Sequence, residues 1–500
     1  MDKQLRAHAA LSAPALLTSL SHEAAADFVL PEYMPPIRRV VSVEASPLPE
    51  SRFLSGAALE LGGTLALSIL YIGEDSALSC AAVTAEYNAS CAVGEAQIPD
   101  ASRVGVDTVA ENVTCRVTAP RAFTIRARMR THLILLHDCP LEEHITDAGG
   151  GRATPADEIA MERLTKTAQD VTLSRGEGTF TAAGTLAVAP ETKIIRAHGA
   201  VRIEEARAAD GAVNVRGEVL LHALCLTPDG RFTTADARAP ISETVSVPDA
   251  ADGDAARAWG RAASVTLQPG EKDFSWEIEY DLEAEAAHAG EQPYTADAYS
   301  TACAAEVTTE EAESLSLLRC GVSALTVSGE GGRQSKPQAG ETVIDTRATA
   351  VMDHIEAREG QLILHGIAAA AVLIAADGDL VSEEFTLPFR CEMKGTGADP
   401  TDLIARSVVE VISASARPDG DKLAVNLELC ISTLALGREK IRAVKAVTLD
   451  RAAPHRRRDG VIRICYPDPG EPLWEIAKRY AVKRSSLGEA EIADGAPMIV

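Results

Sequence analysis

Aromatic residues are scarce: Phe, Tyr and Trp together make up 4% of the 500 residues. The apolar content is instead mostly Ala, Val, Leu and Ile, a set that suits strands packed face to face better than a large cofactor pocket. Long apolar runs are missing too, with no stretch approaching ~18 residues, so no transmembrane helix and no integral membrane contact are expected. Basic residues are in deficit, 48 Lys and Arg against 73 Asp and Glu, for a formal net charge of −25. That balance argues against nucleic acid as a partner and for an acidic solvated surface. The ten cysteines, from Cys80 to Cys465, contain no CxxC pair and no zinc-ligand spacing, so no metal site is expected. Cys115, Cys225 and Cys430 fall in strand-like runs and read as small buried hydrophobes with reduced thiols, which fits a reducing, cytoplasmic setting. The N-terminus has no clean small-x-small cleavage site, so a signal peptide is not expected.

Catalytic signatures are also missing. The chain has no GxSxG, no HExxH and no GxxxxGK[ST] phosphate loop. "SGEGG" at 328–332 lacks the following Lys and reads as a loop. His198, His222 and His365 show no ligand-like pairing and read as core-edge or solvated residues. The expectation is a protein that is not an enzyme and carries no cofactor.

What is present is self-similarity. "GGTLALSILYIGEDSAL" from Gly62, "RGEVLLHALCLTPDGRF" from Arg216 and "HGIAAAAVLIAADGDLV" from His365 share a Gly, an apolar run, then a turn. Anchored on Gly63, Gly217 and Gly366, the copies lie 154 (63 to 217) and 149 (217 to 366) residues apart, a domain-sized period. A second landmark repeats behind each anchor. Phe123, Ile125, Ala127 and Met129 alternate with Arg126, Arg128 and Arg130; Phe274, Trp276, Ile278, Tyr280 and Leu282 alternate with Glu277, Glu279, Asp281 and Glu283; and Leu423, Val425, Leu427 and Leu429 repeat the pattern. Alternation of period two predicts half-buried strands. The two charged ladders read as solvated faces, with pairing between domains or chains as the alternative.

The expected fold is therefore mainly β: three tandem antiparallel sandwich- or barrel-like repeats with short linking helices, then a small βααβ module. The boundaries are an N-terminal segment 1–20, repeats at 21–140, 179–288 and 323–450, linkers with helices at 141–178 and 289–322, a basic linker 451–460 and the module at 461–500. The first linker predicts a helix over Ala156–Gln169, the second a short helix capped by Thr309, and His455 to Arg458 form a local basic run.

The tail has its own logic. "VIRICY" predicts a short strand, Pro472 fits the first helical position, and Glu471 adds negative charge at the helix start. Leu473, Ile476, Ala477 and Tyr480 form an i, i+3, i+4, i+7 stripe with Trp474 beside it. A second short helix around Ser485–Ala490 and a returning strand in "APMIV" complete the module.

"CYPDPGEPLWEIAKRYAV" resembles the opening of a LysM domain, through Gly470, Leu473, Trp474, Ile476, Ala477 and Tyr480. "DFVLPEYMPPIRRVVSVEAS" (27–46) resembles the entry motif of the SPOCS domain of spore-coat-associated proteins, which carry repeated β domains before a C-terminal LysM. The resemblance implies a structural role in spore envelope morphogenesis, with the protein made in the mother cell cytoplasm and placed at the forespore surface. It implies glycan or partner binding by two loops, here Gly470, Glu471, Pro472 and Leu473 with Ile492, Ala493 and Asp494. Pro472 stands where Thr or Ser is usual and Glu491 where Asn is expected, so sugar-binding groups are lost. The expected partner is a spore coat assembly protein, with peptidoglycan, an N-acetylglucosamine glycan, as the alternative.

Overall fold

The computed structural model describes residues 9–55, 58–92, 104–141, 143–270, 273–333, 335, 340–376, 379–395, 400, 402–455, 462–468, 470–487 and 497–500. Strands dominate. The first repeat holds β1 (Ala9–Val29), β2 (Ile37–Pro47), β3 (Ser51–Ser55), β4 (Ala58–Gly73), β5 (Leu78–Ala92), β6 (Val104–Ala119) and β7 (Ala122–Leu141). They form two antiparallel sheets: β1-β7-β6, and a second in which β2 and β3 pair with β4 and β5 lies along its other edge. A short strand β8 (His144–Asp147) and helix α1 (Pro155–Ala160) follow.

The second repeat uses β9 (Met161–Leu186), β10 (Lys193–Ala209), β11 (Ala212–Leu226), β12 (Phe232–Ser246), β13 (Ala255–Pro269) and β14 (Phe274–Ser300). The third uses β15 (Cys303–Gly332), β16 (Thr342–Arg358), β17 (Gln361–Ala376), β18 (Asp379–Lys394), β19 (Asp402–Asp419) and β20 (Lys422–Pro454). Their sheets are β13-β14-β9 with β10-β11-β12, and β15-β20-β19 with β16-β17-β18. Each repeat therefore closes in the same way. Its first strand pairs with its last, and its middle strands make a meander. The anchor glycines occupy the central meander strands β4, β11 and β17, and the alternating landmarks occupy β7, β14 and β20.

Two of those glycines are required by close approach. A Cβ on Gly63 would stand 2.4 Å from the Tyr87 ring, and one on Gly366 would stand 2.3 Å from the Phe389 ring. Tyr87 and Phe389 are the direct cross-strand partners of these glycines, so an aromatic ring fills the gap each glycine leaves. The predicted alternation is realised as buried cores. Phe123, Ile125, Ala127 and Met129 line the first, Trp276, Ile278, Tyr280 and Leu282 the second, and Leu423, Val425, Leu427 and Leu429 the third.

Among the described residues the linking helices are largely absent. α1 spans only Pro155–Ala160, under a capping box between Thr154 and Asp157, and the rest of the expected helix is β9. Thr309 caps nothing; it lies in β15, paired with Val444 of β20. "SGEGG" is likewise the end of β15 and not a loop. Helical propensity lost to tertiary pairing here. β9 is matched to β14 as far as Met161↔Ser300, and each pairing satisfies backbone groups that a short helix would leave open at both ends. The stretches expected as helical linkers are arms of the sheets.

The three repeats also pack on one another through matched positions. Leu70, Leu224 and Leu373 are each the seventh residue after their anchor glycine. They pair across strands with Ser42, Arg196 and Asp345 respectively. All three leucines share one apolar cluster with Val41, Ile195 and Ile344, and with Leu78, Phe232 and Leu380. Every set is one residue from each repeat at the same place in the register.

Candidate functional site

The tail begins with strand β21 (Ile464–Cys465), continues through helix α2 (Leu473–Tyr480) and a 3₁₀ turn at Arg484–Leu487, and ends in strand β22 (Met498–Ile499). β21 and β22 pair antiparallel. Where two helices were expected, the described residues hold one α-helix and a four-residue 3₁₀ turn. The apolar stripe forms as predicted. Ile476 and Ala477 are fully buried, with Leu473 and Tyr480 packed at the margin beside Cys465 and Leu487.

Gly470 is exposed at φ +76°, a conformation glycine adopts without strain. Glu471 is half-buried, paired with Arg479, and accepts the Asp468 N–H at 3.2 Å. Pro472 is the helix N-cap, one position earlier than predicted, and supplies no side-chain cap. Leu473, the first helical residue, is turned partly into the tail core. Ile492, Ala493, Asp494 and Glu491 lie outside the described residues.

Trp474 docks the tail on the far end of the β9–β14 ladder. Its ring meets Tyr299 edge-on, centroids 4.9 Å apart at 63°, and its indole N–H donates to Asp297 Oδ2 at 2.8 Å. Lys478, one turn later, reaches the same oxygen at 2.5 Å. Burial pushes the Asp297 carboxyl up, but hydrogen bonds from Lys478 and Trp474 outweigh it and hold it below the usual carboxylate range. The Tyr299 hydroxyl donates to Val482 O at 2.8 Å.

The larger concentration of buried chemistry lies between the repeats. Glu285 is 2% exposed and accepts from Arg257 Nε at 2.6 Å. It also pairs with Arg406, whose other nitrogen donates to Asp107 Oδ2 at 3.0 Å. Glu283 pairs with Arg175, accepts from Arg52 at 3.1 Å, and accepts the Trp259 indole N–H at 3.0 Å. The Arg175 and Arg257 guanidiniums sit over the Trp259 ring at 5.0 and 4.7 Å. Arg261 donates to Glu410 at 2.9 Å. Burial raises the Asp107 carboxyl, but Arg406, Arg257 and Arg175 bring it down to about 2. Glu283 and Glu285 are likewise lowered against their burial by the arginines around them.

These contacts close a ring. Arg52–Glu283 joins repeats one and two, Arg261–Glu410 joins two and three, and Arg406–Asp107 joins three and one. A second ring closes in the same order on the meander sheets. Arg196 donates to Glu44 at 2.8 Å and pairs with Asp345, and Arg347 donates to Glu44 at 3.0 Å. His222 bridges Asp236 at 2.6 Å and Asp345 at 3.0 Å. Burial lowers the His222 imidazole, but the two carboxylates outweigh it and push it up to about 9. His198 contacts Arg347, a group that only donates, so it accepts as the neutral imidazole; burial and then Arg347 hold its pKa well below the usual histidine range.

His198 and His222 do lie at a core edge, half-buried as the sequence suggests, but the edge is the boundary between repeats two and three, where His198 meets Arg347 and His222 meets Asp345. The charged ladders do not pair with each other. Arg128 and Arg130 turn to Glu111 on the neighbouring strand, and only the last residue of the acidic ladder, Glu283, enters the core. A signal for these sites does exist. Counting from the anchor glycines places Glu44, His198 and Arg347 at one equivalent position, opposite Ser68, His222 and Ala371.

A cleft of about 210 Å³ between repeats one and two is lined by Ser12, Asp138, Ser174, Asp249, Asp254 and His288, smaller than the usual ~300–1,000 Å³ of a ligand pocket. Among the described residues no group of three His, Cys, Asp or Glu side chains is placed to hold a metal ion. No described helix is long and apolar enough to cross a membrane. No family model, curated protein or solved structure matches this chain.

Proposed function

We propose that the chain is a non-catalytic structural and adaptor protein of spore coat assembly, related to SPOCS-domain proteins with a C-terminal LysM. Its three repeats act as the scaffold, and its tail docks on a coat morphogenetic protein at the forespore surface, in the mother cell cytoplasm. The observation that carries the preference for a protein partner is the state of the 470–473 loop. Glu471 is occupied by Arg479 and the Asp468 N–H, and Pro472 has neither a hydroxyl nor a backbone N–H to offer. A shallow sugar site depends on such groups, and each lost hydrogen bond removes about 1 kcal/mol or more from a weak affinity.

Direct binding of peptidoglycan is the second reading. Gly470, exposed and with free space where a Cβ would stand, favours it. Co-sedimentation of the full chain with purified peptidoglycan separates the two. The expected outcome is protein left in the supernatant, while the immobilised full chain retains a coat assembly protein from sporulating-cell lysate. Sedimentation that chitin oligosaccharides reverse, without a retained protein, would overturn the proposal. Constitutive production in growing cells would count against the spore assignment.

A further inference from the structure

Two histidines face each other on the outer side of the third meander. His354 on β16 and His365 on β17 are direct cross-strand partners. Their rings stack with centroids 4.4 Å apart and planes 8° from parallel. The register shifts between Met352 and His354, so Asp353 is an extra residue, exposed beside His354. Asp353 Oδ2 lies 2.9 Å from His354 Nδ1, and Glu356 Oε1 lies 3.3 Å from His365 Nε2. An ionised carboxylate only accepts, so those two nitrogens carry the ring protons. The opposite nitrogens, His354 Nε2 and His365 Nδ1, then hold the lone pairs of the neutral rings.

The fold does not require imidazoles here. The same register shift recurs in repeat two between Ile203 and Glu205, where the matching cross-strand pair is Glu205 and Arg216. That pair is an acid and a base 4.0 Å apart. Arg216 immediately precedes Gly217 as His365 precedes Gly366, so the two pairs occupy one position in the repeat. Repeat three replaces both charges with metal-ligating side chains.

A carboxylate that holds one ring nitrogen and leaves the other free is the arrangement that orients a histidine toward a metal ion. Here it occurs twice, on adjacent rings. A Zn–N bond is about 2.0–2.1 Å, so one ion spans nitrogens up to ~4.2 Å apart. The 4.4 Å ring spacing comes within a small side-chain rotation of that span. Arg390, the neighbour of His365 on β18, is engaged by Glu392 at 2.8 Å, which offsets the one cation beside the pair. Imidazole nitrogens select Zn²⁺, Ni²⁺ or Cu²⁺ over Mg²⁺ and Ca²⁺.

We propose that His354 and His365 together bind one divalent ion of the zinc class through His354 Nε2 and His365 Nδ1, with Asp353 and Glu356 as positioning residues. Two protein ligands leave the remaining coordination positions to water, so the site is open and exchangeable, unlike a closed structural zinc.

Equilibrium dialysis of the full, reduced chain against Zn²⁺ at neutral pH tests it. The wild type is expected to take up one equivalent more than H354Q/H365Q. D353N/E356Q, which keeps both ligands, is expected to bind that equivalent about tenfold more weakly. Zinc held by the ten cysteines cancels in these comparisons, because all the chains share them. On zinc addition, hydrogen exchange should slow in the 352–367 hairpin and not in repeats one and two. None of the four substituted residues is buried, and an unchanged urea midpoint without metal establishes that the variants fold. Equal uptake by wild type and H354Q/H365Q, or full affinity in D353N/E356Q, would overturn the proposal. So would displacement of the zinc by equimolar Mg²⁺, or zinc-dependent protection at His198 and His222 in place of the hairpin.

Discussion

Replacing Glu285 by Gln tests the energetic reading of the inter-repeat ring directly. The change keeps the shape and one acceptor but removes a charge that two arginines share, Arg257 at 0% and Arg406 at 7% exposure. Removing one partner of a buried pair leaves uncompensated charge in low dielectric and costs about 3–5 kcal/mol. Asp107 still pairs with Arg406, whereas Arg257 has no other carboxylate in contact and is left with neutral groups such as the Ser432 carbonyl at 3.3 Å and the Trp259 ring, so the cost falls mainly on Arg257. For urea unfolding of a domain-sized unit with a slope of about 2–3 kcal/mol/M, that is a midpoint shift of about 1–2 M. Urea is preferred to guanidinium because it leaves the ion pairs unscreened. Trp259 lies under the Arg257 guanidinium, so its emission reports on the ring itself. Substituting Lys422, whose partner Glu330 is half exposed, serves as the control and is expected to leave the midpoint unchanged, because an exposed pair is screened by solvent. The double replacement E285M/R257M removes both charges and should recover most of the loss. An E285Q midpoint within about 0.3 M of wild type, or a double variant no better than E285Q, would refute the claim that this pair is buried and mutually dependent.

Two further outcomes follow from the same geometry. His222 has its folded pKa raised to about 9, so its contribution is complete below the unfolded value near 6.5 and is lost as pH rises through about 9. The urea midpoint should therefore fall between pH 6.5 and 9.5 in the wild type, and this slope should flatten in H222Q. Trp474→Ala removes the Tyr299 contact and one bond to Asp297, a loss of about 3–5 kcal/mol for a buried Trp. Hydrogen exchange should rise in α2 and in the 288–300 arm of β14 while the repeat cores stay protected, and uniform protection would show that Trp474 does not hold the tail.

The repeats and their core faces were legible because period-two alternation is local: a reader of Phe274 to Leu282 sees the buried face of β14 without knowing what covers it. The arms at 161–172 and 289–314 were misread because Ala, Glu and Thr carry no strong preference when the partner strand is more than 100 residues away. Glu283 read as part of a solvated face, and Arg257, Glu285 and Arg406 gave no signal at all, for a related reason. Their burial is imposed by other repeats, and no single strand encodes it. In the tail, the helix and its apolar stripe were visible, but that Trp474 faces Tyr299 and Asp297 was not, since that contact joins positions far apart in the chain.

The seat held by Glu44, His198 and Arg347 has a consequence for the copy number of the chain. Identical subunits around a ring would place one residue type there three times; here an acid, a neutral imidazole and a base meet instead, so the copies are no longer interchangeable. Exchanging two of them, or inserting a fourth, would bring like charges together or leave the circle open. A stacked array of repeats lengthens by one without penalty. This chain behaves as a heterotrimer written on one polypeptide, and its count of three is fixed by closure.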